Sequence, residues 1–245
     1  MQRLISLLLP LMAFLLQSCI EGDEEIWING DGSGKVIVHY SLPSLALGQM
    51  GAPDDYVRAI RMVDDREEGI QVQKISFQKI DGKAVFHMEA SFDEATDLLE
   101  LGNRNESIFV EEAHADPRQL HALAGKIDVA LSGLRSNFHR SVSLGPIVPS
   151  MVQSRPAMLG QSTFKYTLHL PVEIIESNAH HISDDGRTIS WKFLLKDAID
   201  KPMIMSAKVP IPRPWWVWLL LALLTFTLAF LLWKKFISRA KPAQI

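Results

Sequence analysis

The stretch Ile70-Gln-Val-Gln-Lys-Ile-Ser-Phe-Gln-Lys-Ile80-Asp81-Gly82-Lys83-Ala-Val-Phe-His-Met-Glu-Ala-Ser-Phe92 decides the fold class. Asp81-Gly82 is a two-residue hairpin signal, since both positions of such a turn need a positive φ that these residues tolerate. On the returning run Ala84, Phe86, Met88, Ala90 and Phe92 share one face, as a strand with one buried side requires. Working outward, Lys35–Leu42 alternates Val36, Val38, Tyr40 and Leu42 against Ile37, His39 and Ser41. It follows the glycine-rich turn at 29–34, with Glu25–Ile28 before it, which predicts a second hairpin. Pro53–Val63 places Tyr56, Ile60 and Val63 on one helical face, with Pro53 at a natural first position.

Beyond the central hairpin, Asp93 is positioned to cap a short helix to Leu101, ended by Gly102. Ser107–Ala113 reads as a strand. From Asp116-Pro117, the residues Leu120, Leu123, Ala124, Ile127, Leu131 and Leu134 follow a helical period, which Gly125 and Gly133 interrupt. The rival is a helix that gives way to a strand near Ile127. Phe164, Tyr166, Leu168 and Leu170 then share a strand face, Asp184-Asp185-Gly186 turns between 180–183 and 187–195, and Met203–Val209 closes the body. Strand–turn–strand runs without βαβ alternation predict an α+β fold: an antiparallel sheet packed with two or three helices.

The two ends of the chain carry a different signal. Residues 1–18 read as a signal peptide: one positive charge (Arg3), an apolar run Leu4–Leu16, then small or polar residues. Leu16-Gln17-Ser18-Cys19 fits a lipobox, and Cys19, the chain's single cysteine, is the expected lipid-attachment residue. The rival is an ordinary cleaved signal with a chance cysteine. At the other end, Trp215–Trp233 is 19 residues without a charge. At ~1.5 Å per residue it reaches about 28 Å, close to the ~30 Å hydrocarbon core. Trp215, Trp216, Trp218 and Trp233 are placed for the headgroup region, and Lys234 and Lys235 open a basic tail, 234–245, expected in the cytoplasm. Residues 209–214 form a proline-rich linker. The body, 19–208, is therefore expected outside the cytoplasm, on a single-pass protein of the cell membrane.

Charge divides the body unevenly. From Glu21 to Asp116 there are 21 acids and 8 bases, a net of −13; from Pro117 to Lys208 there are 7 acids and 11 bases, a net of +4. The basic half, near the predicted span, suits anionic headgroups. No basic cluster points to nucleic acid. Asn29, Asp31, Ser33 and Gly34 match part of a calcium loop, but Tyr40 stands where the closing glutamate belongs. His180-His181 are adjacent strand residues pointing to opposite faces, a poor metal pair. Asp54-Asp55 and Asp64-Asp65 bracket a surface helix and read as solvated. No nucleophile, metal or phosphate-loop motif occurs, so neither an enzyme nor a cofactor or metal is expected.

One segment stands out. Between Val129 and Val172 there is no acid, and residues 144–160 hold three prolines with Ile147, Val148, Met151, Val152, Met158 and Leu159. A long apolar loop of this kind is functional or unstructured. Ile147, Val148 and Met151, with Arg135, Arg140 and Arg155, are the candidate contacts to lipid or to a partner; the alternative is an ordinary packed loop.

Leu170-Pro171-Val172, then Glu176-Ser-Asn178, then Asp185-Gly186-Arg-Thr-Ile-Ser-Trp191 form a proline turn, an asparagine, a tight hairpin and a tryptophan on the returning strand. Together with the lipobox and the C-terminal span, this resembles the LppM-type bacterial envelope lipoproteins. The resemblance implies an anchored α+β domain that handles lipid and has no family-wide catalytic residues. The expected function is a non-catalytic envelope lipoprotein binding lipid or glycolipid, with membrane lipids as partners. The alternative is a structural protein docking an unidentified envelope protein.

Overall fold

The computed structural model describes residues 20–44, 52–114, 125–145, 153, 156–211 and 215–239. The chain divides into two compact units, Met1–Pro210 and Ile211–Ile245. The first begins with strands β1 (Glu21–Ile28) and β2 (Gly34–Pro43), helix α1 (Pro53–Arg66), strands β3 (Ile70–Ile80) and β4 (Lys83–Phe92), and helices α2 (Ala95–Arg104) and α3 (Glu106–Ala113). It continues through β5 (Lys126–Ser132), β6 (Arg135–Val142), β7 (Thr163–His169), the short β8 (Glu176–Ser177) and β9 (His181–Ile182), β10 (Thr188–Leu194) and β11 (Met203–Pro210). The second unit holds helix α4 (Trp215–Arg239).

The hairpins read from the sequence are present. β3 and β4 turn at Asp81 (φ 48°) and Gly82 (φ 75°), both left-handed as a tight hairpin demands. β1 pairs with β2 from Glu21↔Ser41 to Ile28↔Gly34. Gly34 is obligatory there: a Cβ would fall 2.0 Å from the Trp27 carbonyl oxygen. β9 and β10 flank the Asp185-Gly186 turn.

Three expectations are corrected. The sheet is not one antiparallel unit. A seven-stranded sheet has order β3-β4-β2-β1-β7-β10-β9, and a second, four-stranded sheet has order β5-β6-β11-β8. At the centre of the first, β1 and β7 run parallel, Glu21↔Thr163 to Trp27↔His169. The helical reading through Leu134 fails from Lys126 onward, where β5 forms; the part before residue 125 lies outside the described residues. Ile127, Val129 and Leu131 also alternate as a strand does, and Gly133 (φ 62°) supplies the first position of a two-residue turn. Ser107–Ala113 is helical, because Ile108 packs with Ala59 and Val63 of α1. Smaller differences are that α2 continues through Gly102 to Arg104, and that β11 extends to Pro210, two residues into the expected linker.

The main core lies between the two sheets. Trp191, Ile189 and Tyr166 of the first sheet meet Met203, Met205, Ala207 and Val142 of the second, all buried. Trp191 is thus a core residue. Its indole N–H donates to Asn178 Oδ1 at 2.8 Å, the same oxygen accepts the Ser206 backbone N–H at 2.8 Å, and Asn178 Nδ2 donates to the Ile204 carbonyl at 3.0 Å. One asparagine side chain therefore joins β10 to β11, one strand from each sheet.

Candidate functional site

The most strongly charged group in the interior spans the two sheets. Glu24 is the central residue of β1, and its inward neighbours in register are Val38 on β2 and Tyr166 on β7. Arg140, on β6 of the other sheet, meets it with both guanidinium nitrogens: Nη1 donates to Oε2, and Nη2 donates to Oε1 at 3.3 Å. The Tyr40 hydroxyl donates to the same carboxylate. The guanidinium carbon lies 4.9 Å from the Tyr166 ring centroid, a cation–π contact. Arg140 is only 4% exposed. It is therefore not the surface contact that the sequence reading assigns to it.

The electrostatics follow from this geometry. Burial alone would pull the Arg140 pKa down, but Glu24 beside it holds the guanidinium well above its ordinary range. Burial, reinforced by Glu24, drives the Tyr40 phenol well above its usual value. Burial pushes Tyr166 up to about 12 against the opposing pull of Arg140. Arg140 and Tyr40 both bond Glu24, and Tyr166 covers the guanidinium with its ring. This arrangement ties the sheets together and commits the carboxylate to three donors of the protein itself.

The outer face of the first sheet carries a second polar group. Trp27 stacks on His169 with ring centroids 4.6 Å apart, and the Lys35 ammonium sits 4.1 Å from the Trp27 ring centroid. Lys35 and His169 come from the strands on either side of β1, so both faces of the indole are occupied and none is free to stack on a sugar. His169 is held in turn by Glu25 Oε1 at 2.6 Å and Thr188 Oγ1 at 3.0 Å.

Apolar surface is more informative than charge. The inner face of the first sheet continues past the core onto β2, β4 and β3. Register aligns Tyr40, Phe86 and Phe77 in one row, Val38, Met88 and Ile75 in the next, and Val36, Ala90 and Val72 in a third. Phe77, Phe86, Ile75, Met88 and Val36 are only half-buried, and they belong neither to the core between the sheets nor to the α1–α3 cluster. The sequence reading identified the apolar face of β4 as one strand face without assigning it a role.

The β5–β6 hairpin is a third feature. Arg135, expected at a contact surface, stands exposed at its tip. Leu131 is 73% and Leu134 62% exposed. Both were hidden from the sequence reading by the helical assignment; the clue available was a glycine at the head of a two-residue turn. Cys19, Ile147, Val148, Met151 and Arg155 lie outside the described residues. In α4 the side chains from Val217 to Trp233 are described, and from Trp218 to Trp233 the large apolar ones are exposed. Those of Trp215, Trp216, Lys234 and Lys235 lie outside the described part. Among the described residues, no helix is long and apolar enough to cross a membrane. Nor does any group of three His, Cys, Asp or Glu side chains there have a geometry to hold a metal ion.

Comparison with solved structures finds the folded domain of LppM from Mycobacterium tuberculosis, determined by NMR. It matches with 14% sequence identity and a TM-score of 0.45, over 81% of this chain and 94% of that one. No family model matches the sequence, and no curated protein matches it.

Proposed function

We propose that the protein is a membrane-anchored envelope lipoprotein whose folded body lies outside the cytoplasm, binds lipid or glycolipid, and carries no catalytic centre. The observation that carries the lipid reading is the half-open apolar face of Val36, Ile75, Phe77, Phe86 and Met88. Half-buried aromatic and aliphatic side chains in adjacent rows give an acyl chain continuous contact, worth ~0.8 kcal/mol per methylene buried. Two independent features support the anchors. The whole of α4 is 25 residues, and its exposed Trp218, Leu219, Leu220, Leu221, Leu223 and Phe226 are spread around every side of it, as lipid contact requires. Cys19 supplies the second tether. The non-catalytic reading is supported by the mutual pairing of Glu24, Arg140 and Tyr40.

Native mass spectrometry of the full chain extracted in mild detergent tests this. The expected result is a protein that carries acyl mass on Cys19 and retains a lipid, with Met88→Asp losing the lipid while its far-ultraviolet circular dichroism is unchanged. A wild-type protein that retains no lipid, or a variant that retains as much as wild type, refutes the lipid reading.

A second reading, docking to another envelope protein, is favoured by one observation. Ile175 and Ile204 are exposed beside β11, where the Ile175 N–H donates to the Lys208 carbonyl at 2.9 Å. Photo-crosslinking from position 204 to one protein species in intact cells, abolished by Ile175→Glu, would decide for that reading.

A further inference from the structure

We infer that the β5–β6 hairpin tip dips into the bilayer that holds α4, with Leu131 and Leu134 entering the headgroup–acyl boundary and Arg135 meeting lipid phosphate. This rests on the proposal that α4 is a membrane anchor.

Exposure along the hairpin follows a gradient. β5 is an edge strand of the four-stranded sheet, and its side chains at 127, 129 and 131 share a face with Phe138 and the buried Arg140. Ile127 is half-buried, Val129 is 44% exposed and Leu131 is 73% exposed, with Leu134 beyond it at 62%. An apolar face that leaves the core as it approaches a turn is presented outward, and a pair of leucines there is costly to leave in water. The charge is equally specific. The single acid of β5, Asp128, is held by Lys126 at 3.3 Å. No acid follows until residue 173, and the tip offers the guanidinium of Arg135.

Register and chain length together limit how far the tip can lie from the start of α4. Arg135 pairs directly with Pro210, the last residue of β11. Neighbouring strands are ~4.8 Å apart, so Arg135 is one spacing from Pro210 and Ser132 is two. From Pro210 to Trp215 the chain takes five residue steps, about 18 Å at full extension. Whatever angle α4 adopts, the tip therefore stays within about 28 Å of the first residue of the helix. The occupant we assign to this surface is the bilayer, which the length of the connecting chain allows the tip to reach.

The test uses the full chain with Cys19→Ser, reconstituted in nanodiscs of mixed phosphatidylglycerol and phosphatidylcholine. An environment-sensitive fluorophore is attached at Leu134→Cys, at Leu131→Cys, or at Ile80→Cys on the β3–β4 turn as a control. The expected result is a blue-shifted emission at 134 and 131, quenched several-fold more by lipid-borne nitroxide than at 80, and weaker quenching at both tip sites after Arg135→Ser or in pure phosphatidylcholine. A protein retained by the nanodisc whose 134 and 131 probes respond as the probe at 80 does overturns the dipping tip and leaves the anchor standing; a tip reserved for a protein partner would give this result. A protein that alkaline carbonate strips from the bilayer overturns both.

Discussion

Replacing Glu24 with glutamine removes one charge and changes little else, which makes it a sharp test of the inter-sheet lock. The glutamine side chain keeps the size of the original and one acceptor oxygen. Arg140 stays cationic, because its pKa lies far above any working pH. Its side chain is 5% exposed and the carboxylate it meets is 9% exposed, so water cannot replace the lost partner. Breaking a buried ion pair by removing one member costs ~3–5 kcal/mol, because the other is stranded. For a folded body of this size, that corresponds to a fall in melting temperature of roughly 6–20 °C, at 2–4 °C per kcal/mol. Removing both charges together with the hydroxyl that would be stranded, Glu24→Leu with Arg140→Met and Tyr40→Phe, should recover most of the loss, since the desolvation cost disappears with the group. The measurement is thermal unfolding of the full chain in detergent, followed by near-ultraviolet circular dichroism from the packed Trp191. If Glu24→Gln melts within about 2 °C of wild type, the pair is not the lock described, and the charges must be solvated in solution.

Three further outcomes follow from the same geometry. The chain has three tyrosines, and all are pushed above their ordinary value of 10, mainly by burial, Tyr166 to about 12. Tyr40 and Tyr166, the two that burial shifts most, ionise near pH 10 in the unfolded chain and not in the folded one, so their stabilisation is full below pH 10 and falls by up to ~1.4 kcal/mol per pH unit for each as pH rises toward 12. The absorbance at 295 nm of these two tyrosines should rise only together with unfolding, and a reversible titration of all three near pH 10 in a native protein would contradict this. Asn178→Ala should cost about 1–2 kcal/mol, because it removes the acceptor of the Trp191 indole N–H, whereas water can reach the Ser206 N–H. Asn178→Asp, which keeps the acceptor, should cost clearly less in the same denaturant titration. Gly34→Ala should destabilise by more than ~3 kcal/mol, since its Cβ meets backbone that cannot yield. A folded, wild-type-like alanine variant would show that the first hairpin closes differently.

The sequence spoke most clearly where structure is local. The β3–β4 hairpin was legible to the residue because Asp81 and Gly82 carry the turn by themselves. It was ambiguous where two periods fit the same letters: Ile127 and Leu131 serve a helix or an alternating strand, and only pairing with β6 decides between them. Ile108-Phe109-Val110 has strand composition, yet it forms a helix because Ala59 and Val63 offer Ile108 a packing surface. The parallel pairing of β1 with β7 joins segments more than a hundred residues apart and leaves no mark in either. Glu24 reads as one more acid in the run from Glu21 to Glu25, and nothing local distinguishes it from its solvated neighbours.

That hidden acid bears on the candidate surfaces as well as on stability. Arg140 lies on β6, the strand that carries the exposed tip at its other end, and β6 is paired in register with β11 up to Pro210. Glu24 lies on β1, which is paired with β2, and β2 in turn supplies Val36 to the half-open apolar face. The buried Arg140–Glu24 pair thus couples the strand that presents the hairpin to the strands that present the half-open apolar rows. An apolar core could hold two sheets together more cheaply, but it would tolerate sliding between them. A bidentate guanidinium–carboxylate contact accepts only one register. Its cost in desolvation is best understood as the means of holding two apolar surfaces, built from different sheets, in a fixed relation to one another.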